Sequence, residues 1–128
     1  MSKVVLDASA LLALIKNEKG SVKVEQTLGN IVMSSVNVSE VASKLLDSGI
    51  PEEECMAMIE PFVSCIISFD DDQIFLTATL KKFTKQQGLS LGDRACIALG
   101  IQLSVPIYTA DKAWLECNIP NAEIVLIR

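Results

Sequence analysis

Lys3-Val-Val-Leu-Asp7-Ala-Ser-Ala-Leu-Leu-Ala-Leu-Ile15 is the stretch on which the fold turns. Its first part is a short β-branched apolar run that ends in an acid. Such a run reads as a fully buried strand of a parallel sheet. Its second part, residues 8–15, has the composition of a helix, with Ser9 placed to serve as its N-cap.

Working outward, the same alternation repeats. Residues 17–20 read as a turn, and 21–28 as a short helix closed by Gly29-Asn30. Ile31-Val-Met33 is a second strand. In residues 36–48 the apolar positions Val38, Val41, Ala42, Leu45 and Leu46 recur at helical spacing, and Gly49 stands where a C-cap belongs. Pro51 opens a further helix with Glu52, Glu53 and Glu54 in its first turn, and Pro61 ends or follows it. Ser64-Cys-Ile-Ile-Ser68 is a third strand. A long helix is expected from Asp70-Asp-Asp72 to about Gln87, with Ile74, Phe75, Ala78 and Phe83 on its inner face. Another spans about 90–103 and carries Asp93 in its first turn. Pro106-Ile-Tyr-Thr109 is a strand running into Ala110-Asp111. A short helix at 113–116 and a strand at 123–127 follow. Strands alternating with helices imply an α/β sandwich with a mainly parallel central sheet. There is no internal repeat, low-complexity tract or linker, so residues 1–128 are expected to form a single domain.

Composition narrows the chemistry. A chain of 128 residues can bury a core without disulfides or structural metal. Half of it is hydrophobic and only 5% aromatic, so the core is aliphatic. The net charge of −5 argues against broad, non-specific binding to nucleic acid, which usually needs a basic face. It does not exclude an enzyme that meets phosphate through bound cations. The longest apolar run, residues 8–15, is far below the roughly 20 residues of a membrane span. It also lacks the flanks of a signal peptide, so a cytoplasmic protein without membrane contact is expected. Cys55, Cys65, Cys96 and Cys117 form no CxxC pair and read as reduced, mostly buried small apolar residues. Histidine is absent, which removes Ser-His-Asp and Cys-His nucleophile systems and any imidazole acid–base pair.

Carboxylates remain. In a parallel α/β sheet, ligands bind beyond the carboxyl ends of the strands. Asp7 ends the first strand and Asp111 follows the fourth. Glu40 and Asp93 lie early in helices that begin at that same edge. Four acids from distant segments can therefore meet there. Gathered carboxylates repel one another, and a divalent cation is the usual compensation. Hard oxygen ligands select Mg²⁺ or Mn²⁺. Each acid also has a purely local reading. Asp7 and Asp111 could cap the helices after them, Asp93 could favour its own helix dipole, and Glu40 could be a solvated helix residue. The runs Glu52–Glu54 and Asp70–Asp72 are most simply solvated helix starts.

Four blocks of sequence carry a family resemblance. They are Val5-Leu-Asp7-Ala-Ser9-Ala-Leu11, Val38-Ser-Glu40-Val, Leu89-Ser-Leu-Gly-Asp93-Arg-Ala-Cys-Ile-Ala-Leu and Ile107-Tyr-Thr109-Ala-Asp111-Lys-Ala-Trp114. In that order they resemble a PIN domain, and more narrowly the VapC toxins of type II toxin–antitoxin pairs. The resemblance covers essentially the whole chain. It implies a PIN-like three-layer sandwich and a metal-dependent endoribonuclease. Asp7, Glu40, Asp93 and Asp111 would be both the catalytic residues and the ligands of one or two Mg²⁺ or Mn²⁺ ions. A metal-activated water would attack phosphorus in line and leave a 5′-phosphate and a 3′-hydroxyl. It further implies an RNA substrate, a cognate antitoxin and a homodimer.

Ser9 and Thr109 each lie two residues from one of these acids, and their hydroxyls are read as groups that orient the carboxylates. For Ser9, simple helix capping is an equal reading. Arg94 and Lys112 each follow a site acid. They could contact RNA phosphate, neutralise the cluster or face solvent. Two other function classes stay open. A haloacid dehalogenase-type phosphoryl-transfer enzyme also places an Asp after the first strand, but needs a second Asp where this chain has Ser9. A non-catalytic PIN-like RNA- or protein-binding module is the other, and the presence of all four acids speaks against it.

Overall fold

The computed structural model describes residues 2–128. Five short strands, β1 (Val4–Leu6), β2 (Ile31–Ser34), β3 (Cys65–Ile67), β4 (Ile107–Thr109) and β5 (Ile124–Leu126), form one sheet in the order β3-β2-β1-β4-β5. The sheet, expected to be mainly parallel, is parallel at every pairing. Val5 of β1 stands opposite Val32 of β2 and Ile107 of β4, which fixes the register at the centre.

The strand side chains alternate between two cores, as the two-residue period of a strand requires. Val4, Leu6, Ile31 and Met33 enter one core, with α1 (Ala8–Ile15), α2 (Ser21–Glu25), α3 (Ser35–Asp47) and α4 (Glu52–Ile59) packed over them. Val5, Val32 and Ile107 enter the other, beneath α7 (Leu91–Leu103) and the Trp114 ring of a 3-10 helix, Lys112–Cys117. Burial on both faces explains why β1 and β2 read as unbroken apolar runs. The result is helix, sheet, helix in three layers. α7 lies close against β4, because a β-carbon on Gly100 would run into the Ile107 side chain. Gly100→Ala should therefore overpack this seam, at about 1–3 kcal/mol.

Strand order positions the functional edge. β1, β2 and β3 step outward in one direction, and β4 then returns to the other side of β1. The β1–β4 seam is thus the point where the order reverses, and the crevice beyond its carboxyl end is where such sheets take ligands.

Two local expectations need correction. Asp7, not Ser9, is the N-cap of α1, with its side chain accepting from the Ala10 N–H. The acid wins because a cap must precede the first helical residue, and β1 delivers Asp7 directly to that place. The expected long helix over 70–87 divides at Leu80 into α5 (Asp71–Thr79) and α6 (Lys81–Thr84). Its inner face also differs. Gln73 and Thr77 are buried, whereas Ile74, Phe75 and Ala78 are exposed and Phe83 is half-buried. α5 packs against α7, where the buried Arg94 guanidinium donates to the Thr77 backbone carbonyl, and Gln73 donates to the Ser68 carbonyl. Of the cysteines, Cys55, Cys96 and Cys117 are buried, Cys65 on β3 is exposed, and all four are free thiols. No helix among the described residues is long and apolar enough to cross a membrane.

Candidate active site

Asp7, Glu40, Asp93 and Asp111 line one cavity of about 420 Å³ at the carboxyl edge of the sheet. Each arrives from a different element. Asp7 is carried at the end of β1 and caps α1. Asp111 follows β4 and caps the 3-10 helix, accepting from the Ala113 N–H at 3.0 Å. Asp93 is the third residue of α7 and closes a capping box with Ser90. Its Oδ2 accepts from the Ser90 N–H at 3.0 Å, and the Ser90 hydroxyl accepts from the Asp93 N–H at 3.1 Å. Glu40 stands in the second turn of α3. For Asp7, Asp93 and Asp111 the capping role and the cavity position therefore coexist. Three helix N-termini thus meet at the cavity, each with one of these acids in its cap.

Asp7 sits deepest, at 5% exposure. Ser9 donates to both of its oxygens, at 2.7 and 2.9 Å, Thr109 donates to Oδ2 at 2.6 Å, and the Ala10 N–H donates to Oδ1 at 2.8 Å. The two hydroxyls also accept from the segment that follows β4, Ser9 from the Ala110 N–H and Thr109 from the Asp111 N–H. Burial dominates the carboxyl's titration and lifts it from 3.8 to about 6. The hydrogen bonds from Thr109, Ala10 and Ser9 hold it down against that rise, and the charge of Asp93 adds to it. Beneath the cavity, the wholly buried Cys96 thiol is pushed well up, first by burial and then by the charges of Asp7, Asp93 and Glu40.

Glu40 and Asp93 are half-buried and Asp111 is exposed. Glu40 Oε1 accepts from the Asn37 side-chain amide at 2.8 Å. Among the described residues, Oε2 of Glu40, Oδ1 of Asp93 and Oδ2 of Asp111 accept no hydrogen bond from the protein. Four carboxylates around a cavity, one of them a buried acid that resists ionising alone, form a donor set suited to a hard divalent cation. The acids are not drawn into a closed cluster. Among the described residues, no three potential ligands stand close enough to hold one ion as they are. Mutual repulsion and the helix caps account for that spread.

The other sequence-predicted residues divide. Ser9 lines the cavity, and Thr109 lies fully buried behind it. Arg94 does not reach the cavity. Its side chain is turned into the α5–α7 seam at 9% exposure, so a phosphate contact from it is corrected to a structural one. Lys112 is exposed beside Asp111 but does not line the cavity. The cations that do are Lys16, Lys44 and Arg128. Arg128 lies 3.8 Å from Glu18, whereas among the described residues Lys16 and Lys44 have no carboxylate within ion-pair distance. Lys44 follows Glu40 by four residues, one helical turn, and that spacing was a signal in the sequence. Lys16 and Arg128 reach the cavity only through folding.

The PIN domain family model matches residues 4–118. Among solved structures, the chain is similar to a toxin–antitoxin complex from Klebsiella pneumoniae, with 18% identity over 98% of each chain and a TM-score of 0.77. It is also similar to a DNA-bound VapBC from Salmonella typhimurium, with 17% identity over 100% of each chain and a TM-score of 0.76. A third is VapBC-5 from Mycobacterium tuberculosis, with 17% identity over 98% of this chain and 99% of that one, and a TM-score of 0.70. No curated protein sequence matches the chain.

Proposed function

The chain belongs to the PIN domain family, and from that premise we propose that it is a metal-dependent endoribonuclease acting as the toxin of a VapBC-type pair. The observation that carries this reading is the convergence of Asp7, Glu40, Asp93 and Asp111 on one cavity at the strand-order reversal. Those four carboxylates would hold Mg²⁺ or Mn²⁺. When bound, such an ion lowers the pKa of its water and offsets the negative charge that develops on a phosphate.

The chain's own residues do the rest. Ser9 and Thr109 fix Asp7 in one orientation and tie β1 to the segment after β4. The helix caps at Asp93 and Asp111 set where those side chains start from. Lys16, Lys44 and Arg128 add positive charge around the acids, suited to RNA phosphates on either side of the scissile one. With no histidine in the chain, proton transfer at the leaving oxygen would fall to solvent or to a lysine, Lys16 or Lys44. A cognate antitoxin is the proposed protein partner, because the similar structures named above are toxin–antitoxin complexes. The exposed Ile74 and Phe75 of α5 are consistent with a covered surface of that kind or with a homodimer.

The test is RNA cleavage by purified protein with Mg²⁺ or Mn²⁺, alongside EDTA and Asp93→Ala. Cleavage should require the ion and be lost in the variant. Activity that survives either change would sink the proposed site.

A further inference from the structure

Asn37 is the one polar residue on the buried face of α3, among Val38, Val41 and Leu45, and it is 1% exposed. Its side-chain Nδ2 carries two hydrogens. One goes to Glu40 Oε1 at 2.8 Å, the other to the Gly92 carbonyl at 3.0 Å. Its Oδ1 is buried and, among the described residues, accepts nothing. The orientation of the amide is not arbitrary. Both neighbours of Nδ2 are acceptors, so turning the group over would set oxygen against oxygen. A buried amide with an orphaned oxygen is costly compared with an apolar residue at the same place. Something other than core packing keeps it there.

Gly92 supplies the other half. A β-carbon at this position would meet Oε2 of Glu40 first, and would stand 2.7 Å from the carboxyl carbon and 2.8 Å from Oε1. The Glu40 carboxylate therefore occupies the space where residue 92 would otherwise have a side chain. The Asn37 bond to the Gly92 carbonyl holds α3 and α7 at that spacing, one residue before Asp93.

We propose that Asn37 and Gly92 form the seat of Glu40, with Asn37 a positioning residue that commits Oε1 to the fold and leaves Oε2 for a divalent cation. The proposal rests on the metal-nuclease reading above. Only an uncharged group with two donors serves both acceptors. Aspartate would place a second carboxylate against Glu40, and serine offers a single hydrogen.

The experiment is Mn²⁺ binding to the whole chain, read by electron paramagnetic resonance without RNA. It compares wild type, Asn37→Ala, Glu40→Gln and the double variant, with circular dichroism as a check on folding. Asn37→Ala should weaken Mn²⁺ binding by about tenfold or more. In the Glu40→Gln background it should add nothing further, because its effect runs through Glu40. Gly92→Ala should lose affinity to a similar extent by displacing the carboxylate. Alanine is the better helix former, so a weakened α7 could not explain that loss. If Asn37→Ala does not fold, Gly92→Ala decides alone. Glu40→Gln weakened while Asn37→Ala or Gly92→Ala binds like wild type overturns the seat and leaves the nuclease reading standing. Equal losses from Asn37→Ala in both backgrounds overturn the positioning role. Wild type that binds no Mn²⁺ overturns the nuclease reading, and the seat with it.

Discussion

The two walls of the cavity hold their acids by different means. On the β1–β4 wall, Asp7 and Asp111 stand at the ends of strands, and Ser9 and Thr109 lock Asp7 to backbone across the seam. On the α3–α7 wall, Asp93 is fixed by its own capping box, while Glu40 depends on an amide one turn away and on a missing side chain at Gly92. Each wall pairs local contacts with contacts made only on folding: Thr109 reaches Asp7 when β4 pairs with β1, and Gly92 meets Asn37 and Glu40 when α7 docks on α3. The first wall buries its principal acid, whereas the second leaves both half-exposed. Buried charge is where a cation's field is felt most strongly.

This difference sets the order of expected effects. Asp7→Asn should lower RNA cleavage by roughly 10³-fold or more, on the several kcal/mol that a metal ion's charge can supply. The exposed Asp111→Asn should lose clearly less. Equal losses in single-turnover assays would break the link between depth and contribution.

The pH dependence of stability comes next. Asp7 titrates near 6 in the fold against 3.8 for its ordinary value. The folded state therefore holds the proton more tightly. Between those values the native chain binds more protons than the unfolded one, so this group's contribution falls as pH rises. The loss reaches up to about 3 kcal/mol by neutral pH in metal-free protein. Relative to Asp7→Asn, wild type should thus lose stability between pH 4 and 7 in urea titrations. A constant difference across that range would contradict the buried, uncompensated carboxyl.

Thr109→Val keeps the shape but removes the donor to Asp7 and the acceptor for the Asp111 N–H. Cleavage and Mn²⁺ affinity should fall about tenfold to a hundredfold, and a variant matching wild type would show that the seam does not position Asp7. The smallest effect belongs to the rim. Replacing Lys16 or Lys44 by Gln should weaken RNA binding a few-fold. It should also flatten the salt dependence by about 0.7 in log–log slope per residue, whereas Arg94→Gln should act on stability and leave that slope unchanged.

Much of this was legible in the sequence because the strand-borne features are local. A β-branched run ending in Asp7, and another passing through Thr109 to Asp111, declare buried parallel strands and the edge they end at. The hydroxyls lie two residues from their acids for the same reason. What stayed hidden depends on tertiary contact. Asn37 looks like any polar residue in an amphipathic helix until α7 is docked against it. Arg94 follows a site acid in sequence, yet a step of one residue along a helix turns the side chain by about 100°, into the α5 seam. The inner face of α5 runs against its apolar pattern: Ile74 and Phe75 face outward, whereas Gln73 and Thr77 are buried.

The chemistry of the cut ends tests the four-carboxylate site most directly. Metal-assisted attack by water should leave a 5′-phosphate on the downstream RNA fragment, so that fragment should ligate without prior kinase treatment, and only from reactions containing Mg²⁺ or Mn²⁺. A 2′,3′-cyclic phosphate on the upstream fragment would mean that the RNA's own 2′-hydroxyl attacks. That result would contradict a metal-activated water at Asp7, Glu40, Asp93 and Asp111.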